Sequence, residues 1–222
     1  MKFSDMLLRE DFWKILEDTL QDNTSYIGAK GDIAVVDKQN ACTLYANAQL
    51  NAIMSAHPSK AVVDYLKTEY NVSGSLLRRM MVKGYLFAAT TFVKRFSQKG
   101  IKIEFDTNVN KDDILIYPCN KKIRLFDFGK GMVYTMLKRD LPSLYIDRET
   151  KFRLEHKASF IPEIVESGKG CYSEKIINGM PLARINNPAF VARCKEEAIK
   201  KVVSLTEEDY PVNACEYIQS LK

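Results

Sequence analysis

Apolar residues recur every fourth position near the start of the chain. Leu8, Phe12, Leu16 and Leu20 form one stripe with Trp13 and Ile15 beside it, and Ser4 stands where a capping hydroxyl belongs. This predicts a helix. Residues 23–40 break the pattern: Gly28, Gly31 and the polar cluster at 37–40 read as loop around a short apolar piece at 33–36. A second helix is expected over 41–56, stopping near His57-Pro58 because the residue before proline is steered out of the α region. Ser59 caps a third, with Val62, Leu66 and Tyr70 on one side. Ser73 or Ser75 opens a fourth that ends at Gly100, with Leu76, Met80, Leu86, Phe87, Val93 and Phe96 among its apolar positions. Its basic residues, Arg78, Arg79, Lys83, Lys94, Arg95 and Lys99, read as a solvated face.

After Gly100 the period changes from helical to two. Residues 101–105 alternate apolar and charged, as a strand does, and 108–113 form a polar turn that marks a domain boundary. Five candidate strands follow at 114–117, 123–128, 132–137, 164–166 and 172–177, with a helical stretch after Asp147 between the third and fourth. Gly129-Lys130-Gly131 and the 167–170 segment supply tight turns, since glycine accepts positive φ. The remainder predicts a helix over 188–204 and another from about residue 212. The expected architecture is α+β: a helical module at 1–107, a five-stranded antiparallel sheet with one packed helix at 108–185, and a helical segment at 186–222.

Composition narrows the class. At 222 residues the chain can bury a good core in one or two domains, and 46% hydrophobic with 27% charged residues is ordinary for a globular protein. The longest nearly uncharged apolar stretch, 84–93, is too short to span a bilayer. The first residues lack the order of a secretory signal, so a soluble cytoplasmic protein is expected. Five cysteines without C-x-x-C spacing suggest reduced thiols, neither a disulfide framework nor a zinc site. The net charge of +5 suits polyanionic nucleotides and does not single out nucleic acid.

A nucleotide triphosphate site needs a cation for the phosphates, a carboxylate that positions it, and a strand edge whose backbone meets the base. Lys138 ends the third of the five strands, with Arg139 a weaker candidate beside it. Glu149 lies eleven residues beyond Lys138, sharing a helix face with Arg153 at i, i+4. The fifth strand runs through Glu174, Lys175, Ile176 and Ile177 into the glycine-containing connector Asn178-Gly179. This order, with Glu-x-x-x-Arg on a helix and Pro162 entering the fourth strand, resembles the small lobe of the kinase-like phosphotransferases, the aminoglycoside and choline group in particular. The resemblance covers about a third of the chain. It implies Lys138 on the phosphates, Glu149 as its ion-pair partner, Glu174 to Ile177 as the hinge that meets adenine, and ATP with magnesium as cofactor.

Departures from that pattern shape the functional expectation. The turn at 118–122 has no glycine, so phosphate contacts there would come from Asn120, Lys121 or Lys122. Asp127-Phe128-Gly129 precedes the candidate lysine and reads as a strand end and turn. Neither His57 nor His156 opens an H-x-D loop, so no catalytic residue and no metal ligand is assigned and no turnover is expected. Two readings follow. In one, this is the amino-terminal part of an ATP-dependent phosphotransferase, interrupted before its catalytic lobe, which would be supplied elsewhere or by a partner protein. In the other, it is a complete, non-catalytic scaffold or interaction module with a kinase-like fold.

Overall fold

The computed structural model describes residues 11–71, 75–179, 181–185 and 187–207. Two compact units divide the chain, one through Asn178 and one from Gly179 onward. The first holds nine strands: β1 (Ala29–Val36), β2 (Leu44–Asn47), β3 (Ala52–Met54), β4 (Lys99–Phe105), β5 (Ile114–Pro118), β6 (Lys122–Asp127), β7 (Met132–Leu137), β8 (Ile164–Gly168) and β9 (Cys171–Lys175). Its helices are α1 (Phe12–Asp22), α2 (Lys60–Glu69), α3 (Leu76–Thr91), the single turn α4 (Val93–Phe96) and α5 (Leu144–Glu155). All nine strands join one antiparallel sheet in the order β1-β4-β2-β3-β5-β6-β7-β9-β8.

The α+β class holds, but nine strands stand where five were expected, and the helical module of residues 1–107 is corrected by β1 to β4. The expected helix at 41–56 is a hairpin in which Tyr45, Ala46 and Asn47 pair with Met54, Ile53 and Ala52. Asn47 turns the chain: its Oδ1 accepts from the backbone N–H groups of Gln49 and Leu50, both at 3.0 Å. Asn51 closes the turn at φ 42°, in the left-handed region asparagine tolerates. The fourth helix begins as expected, Ser75 Oγ accepting from Arg78 N, but gives way to α4 and then to β4 before Gly100. Across residues 108–113 the sheet is continuous, since Ile53 and Met54 of β3 pair with Ile116 and Leu115 of β5.

Period-two alternation divides the side chains into two layers. On one face Ile53, Ile101, Ile103, Ile114, Ile116, Ile123, Leu125 and Met136 gather around Phe12, Leu16 and Leu20 of α1. Every strand except β8 contributes to this cluster, so the sheet curls about α1. Tyr26, just after α1, reaches the far end of the sheet, donating from its hydroxyl to Glu166 O at 3.2 Å and meeting the Tyr134 ring edge-on. At the β1 border, Gln21 Oε1 and Glu17 Oε2 accept from the N–H groups of Ile33 and Val35, both at 2.7 Å. On the opposite face Met54, Leu115, Phe126 and Val133 pack against Val62 and Leu66 of α2 and Leu86, Ala89 and Val93 of the α3–α4 segment.

The expected Ser4 cap and Leu8 lie outside the described residues, as does the helix from residue 212. In the second unit, α6 (Pro188–Glu207) begins with proline at a helix start and with Asn187 Oδ1 accepting from Phe190 N at 3.1 Å. Among the described residues no helix is long and apolar enough to cross a membrane.

Candidate functional site

The five strands β5 to β9 stand in the spatial order first, second, third, fifth, fourth, with α5 inserted in sequence between the third and fourth. The α5 helix lies beside β8 and presents Glu149 to the face that carries Lys122, Arg124, Thr135, Tyr172 and Glu174. The registers Arg124↔Thr135 and Thr135↔Tyr172 align these residues across three strands. Glu149 binds the Lys122 ammonium through Oε2, accepts from the Tyr172 hydroxyl at 2.8 Å through Oε1, and stands 3.6 Å from the Arg153 guanidinium. Arg153 in turn donates to Glu174 Oε2 and to the carbonyl of Pro162, both at 2.6 Å. The i, i+4 pair therefore ties α5 to β9 and to the segment entering β8.

Burial alone would raise the Glu149 carboxyl, but the Lys122 and Tyr172 hydrogen bonds and the Lys122 and Arg153 charges outweigh it and hold it below the ordinary glutamate range. Tyr172, fully buried, is pushed up to about 12 by desolvation and by its bond to Glu149, so it stays a neutral donor. Burial also raises the Cys119 and Cys171 thiols, which removes them as ready nucleophiles.

The expected partners Lys138 and Glu149 are not brought together. Strand alternation puts Val133, Thr135 and Leu137 on the face toward α5 and Met136 and Lys138 on the face toward α1. Lys138 is buried there, its Nζ 5.6 Å from the centre of the Phe12 ring. Arg139 meets α1: its backbone N–H donates to Thr19 Oγ1 at 3.0 Å and its guanidinium lies 3.4 and 3.5 Å from Asp18 and Asp22. Glu174 is engaged by Arg153, Lys175 and Ile177 are exposed, and Ile176 packs into the α2–α3 layer with Tyr65 and Phe128. Asp127 ends β6, accepting from Lys130 N at 3.0 Å, as a strand end and turn require.

Sequence reasoning named Lys122 only as a phosphate contact and missed it as the partner of Glu149. The signal was its parity: Lys122 alternates with Ile123, so it shares a face with Arg124 and not with the apolar residues that cover α1. Among the described residues no group of three histidine, cysteine, aspartate or glutamate side chains is placed to hold a metal ion. Compared with known proteins, the chain matches no family model, no curated protein and no solved structure.

Proposed function

We propose that β5 to β9 with α5 form a kinase-like small lobe that takes the phosphate end of a nucleotide such as ATP, with Lys122 in the role the sequence pattern gave to Lys138. The observation that carries this reading is the Lys122–Glu149 pair, a strand cation held by a helix carboxylate on one sheet face, within the strand order described above. Glu149 orients the ammonium, and Lys121 and Arg124 add positive charge nearby. A polyphosphate would gain charge-assisted hydrogen bonds from these groups. This reading assigns no base and no metal ligand among the described residues, so the role proposed is binding. The connector after β9 falls at the border between the two compact units.

A second reading, a non-catalytic scaffold, is favoured by one observation: Ile176 packs in the layer of Tyr65, Phe126 and Phe128, on the side where adenine would be expected. Ligand-observed NMR with ATP separates the two. Binding of about millimolar strength is expected for the parent chain, weakened roughly tenfold by Lys122→Ala and retained by Arg139→Ala. Equal signals from Lys122→Ala and the parent, or no ATP signal from the parent, leave the scaffold reading standing.

A further inference from the structure

The α3 helix is apolar on two sides. Leu86 and Ala89 face the sheet and are buried, as a core helix requires. Leu76, Met80 and Phe87, spaced at i, i+4 and i+11, form a column on the outward side, with Leu77 and Met81 beside them. These five large side chains are between 61% and 70% exposed. A single exposed leucine means nothing, but a contiguous stripe of this size marks a surface that meets another apolar phase.

Charge identifies that phase. From Ser75 to Gly100 the chain contains Arg78, Arg79, Lys83, Lys94, Arg95 and Lys99 and no aspartate or glutamate. Lys99 is held by Asp37 and Lys94 lies 5.5 Å from the centre of the Tyr45 ring, but Arg78, Arg79 and Lys83 make no ion pair among the described residues. Arg79 and Lys83 flank the apolar column. With Lys67 of α2 they also line a recess of about 580 Å³ whose floor includes Val63, Val82 and Leu86. The nearby acid on α2, Asp64, is bound to Lys67 at 2.8 Å. A stripe that is both apolar and basic repels a second copy of itself and suits a partner that is apolar inside and negative at its surface.

We propose that α3 docks the protein on an anionic phospholipid bilayer, with Leu76, Leu77, Met80, Met81 and Phe87 entering the boundary between headgroups and acyl chains. Arg79 and Lys83 meet the headgroup phosphates, and the recess between α2 and α3 gives those phosphates room to approach Lys67. The helix lies on the membrane and does not cross it. Binding of this kind adds apolar burial to electrostatic attraction, so it requires negative lipid and weakens with salt. The inference stands apart from the nucleotide reading, because α3 contributes nothing to the Lys122–Glu149 site.

The test is co-sedimentation of the full chain with vesicles of phosphatidylcholine, alone or mixed with phosphatidylglycerol. The parent is expected to pellet with the mixed vesicles at low salt, and to remain in solution with neutral vesicles or at high salt. Arg79→Glu combined with Lys83→Glu should weaken binding at least roughly tenfold, given about fivefold for each basic side chain near the surface. Met80→Glu combined with Phe87→Glu should do the same, and Lys122→Ala should bind as the parent does. Leu77→Gln with Met81→Gln serves as a second apolar pair if a melting curve shows that the glutamates disturb the fold. The proposal is overturned if the parent ignores anionic vesicles, if both charged and apolar variants bind like the parent, or if neutral vesicles bind equally well. It is also overturned if the parent retains a single-stranded oligonucleotide, or forms a dimer lost with Phe87→Glu, without binding vesicles.

Discussion

Glu149 gives the candidate site a pH signature. Its carboxyl titrates below the ordinary glutamate value of about 4.3, so its contribution to stability is complete above that pH and is lost as pH falls through the lower folded value. Glu149→Gln should lower stability by about 1 kcal/mol near neutral pH, since the group is partly solvated. The gap between variant and parent should shrink in acid. Urea midpoints measured from neutral pH downward test this, and a gap that stays constant would place the stabilisation elsewhere. A second residue-scale case is steric. A Cβ added to Gly100 in β4 would overlap Cys42 Sγ and stand 2.9 Å from Cys42 Cβ. Gly100→Ala should therefore destabilise by about 1 to 3 kcal/mol. Adding Cys42→Ala should restore only part, because the second contact remains; calorimetric melting of the single and double variants measures it.

At the scale of elements, the β2–β3 hairpin depends on Asn47, which is 1% exposed and satisfies two turn N–H groups. Asn47→Ala should cost about 1 to 3 kcal/mol in chemical unfolding, the cost of leaving buried donors unpaired. At Asn51, whose Nδ2 donates to Pro118 O at 2.8 Å and whose φ is positive, alanine should be worse than glycine, because glycine loses only the hydrogen bond. This hairpin also marks where the sequence stopped being readable. All four residues of β2 and all three of β3 are buried, so they show none of the alternation that betrays a half-exposed strand, and their alanine, leucine and methionine content favours a helix reading. The β1 strand is obscured by a register shift between Lys30 and Ala34. By contrast β6 and β7 alternate, glycine turns follow β6 and β8, and polar segments bracket β5, so these five strands are legible to within two residues at each end. Of the cluster around Glu149, its pairing with Arg153 follows from helix spacing, whereas the partner cation depends on which sheet face α5 covers. Alternation from Lys122 to Phe126 and from Met132 to Lys138 contains that answer once the helix is placed.

At the scale of the whole molecule, the break after Asn178 separates a sheet-bearing unit from α6. A chain ended at Asn178 should keep its cooperative thermal transition within a few degrees of the parent while losing helical signal in circular dichroism. A fragment of residues 108–185 should fare far worse, since cutting there strips β5 of its β3 partner and exposes a hydrophobic strand border. A soluble, cooperatively melting 108–185 fragment would contradict this. The curl of the sheet about α1 has a further consequence for self-assembly. Any open sheet offers a free border on which a foreign strand can polymerise, and a border shielded by its own chain cannot be used that way. Glu17 and Gln21 occupy donors of β1 that such a strand would need, and the Tyr26 hydroxyl occupies a carbonyl of β8. The helix that fills the interior and the loop that follows it thus also act as gatekeepers, leaving fibril growth by strand addition fewer footholds at both ends of the sheet.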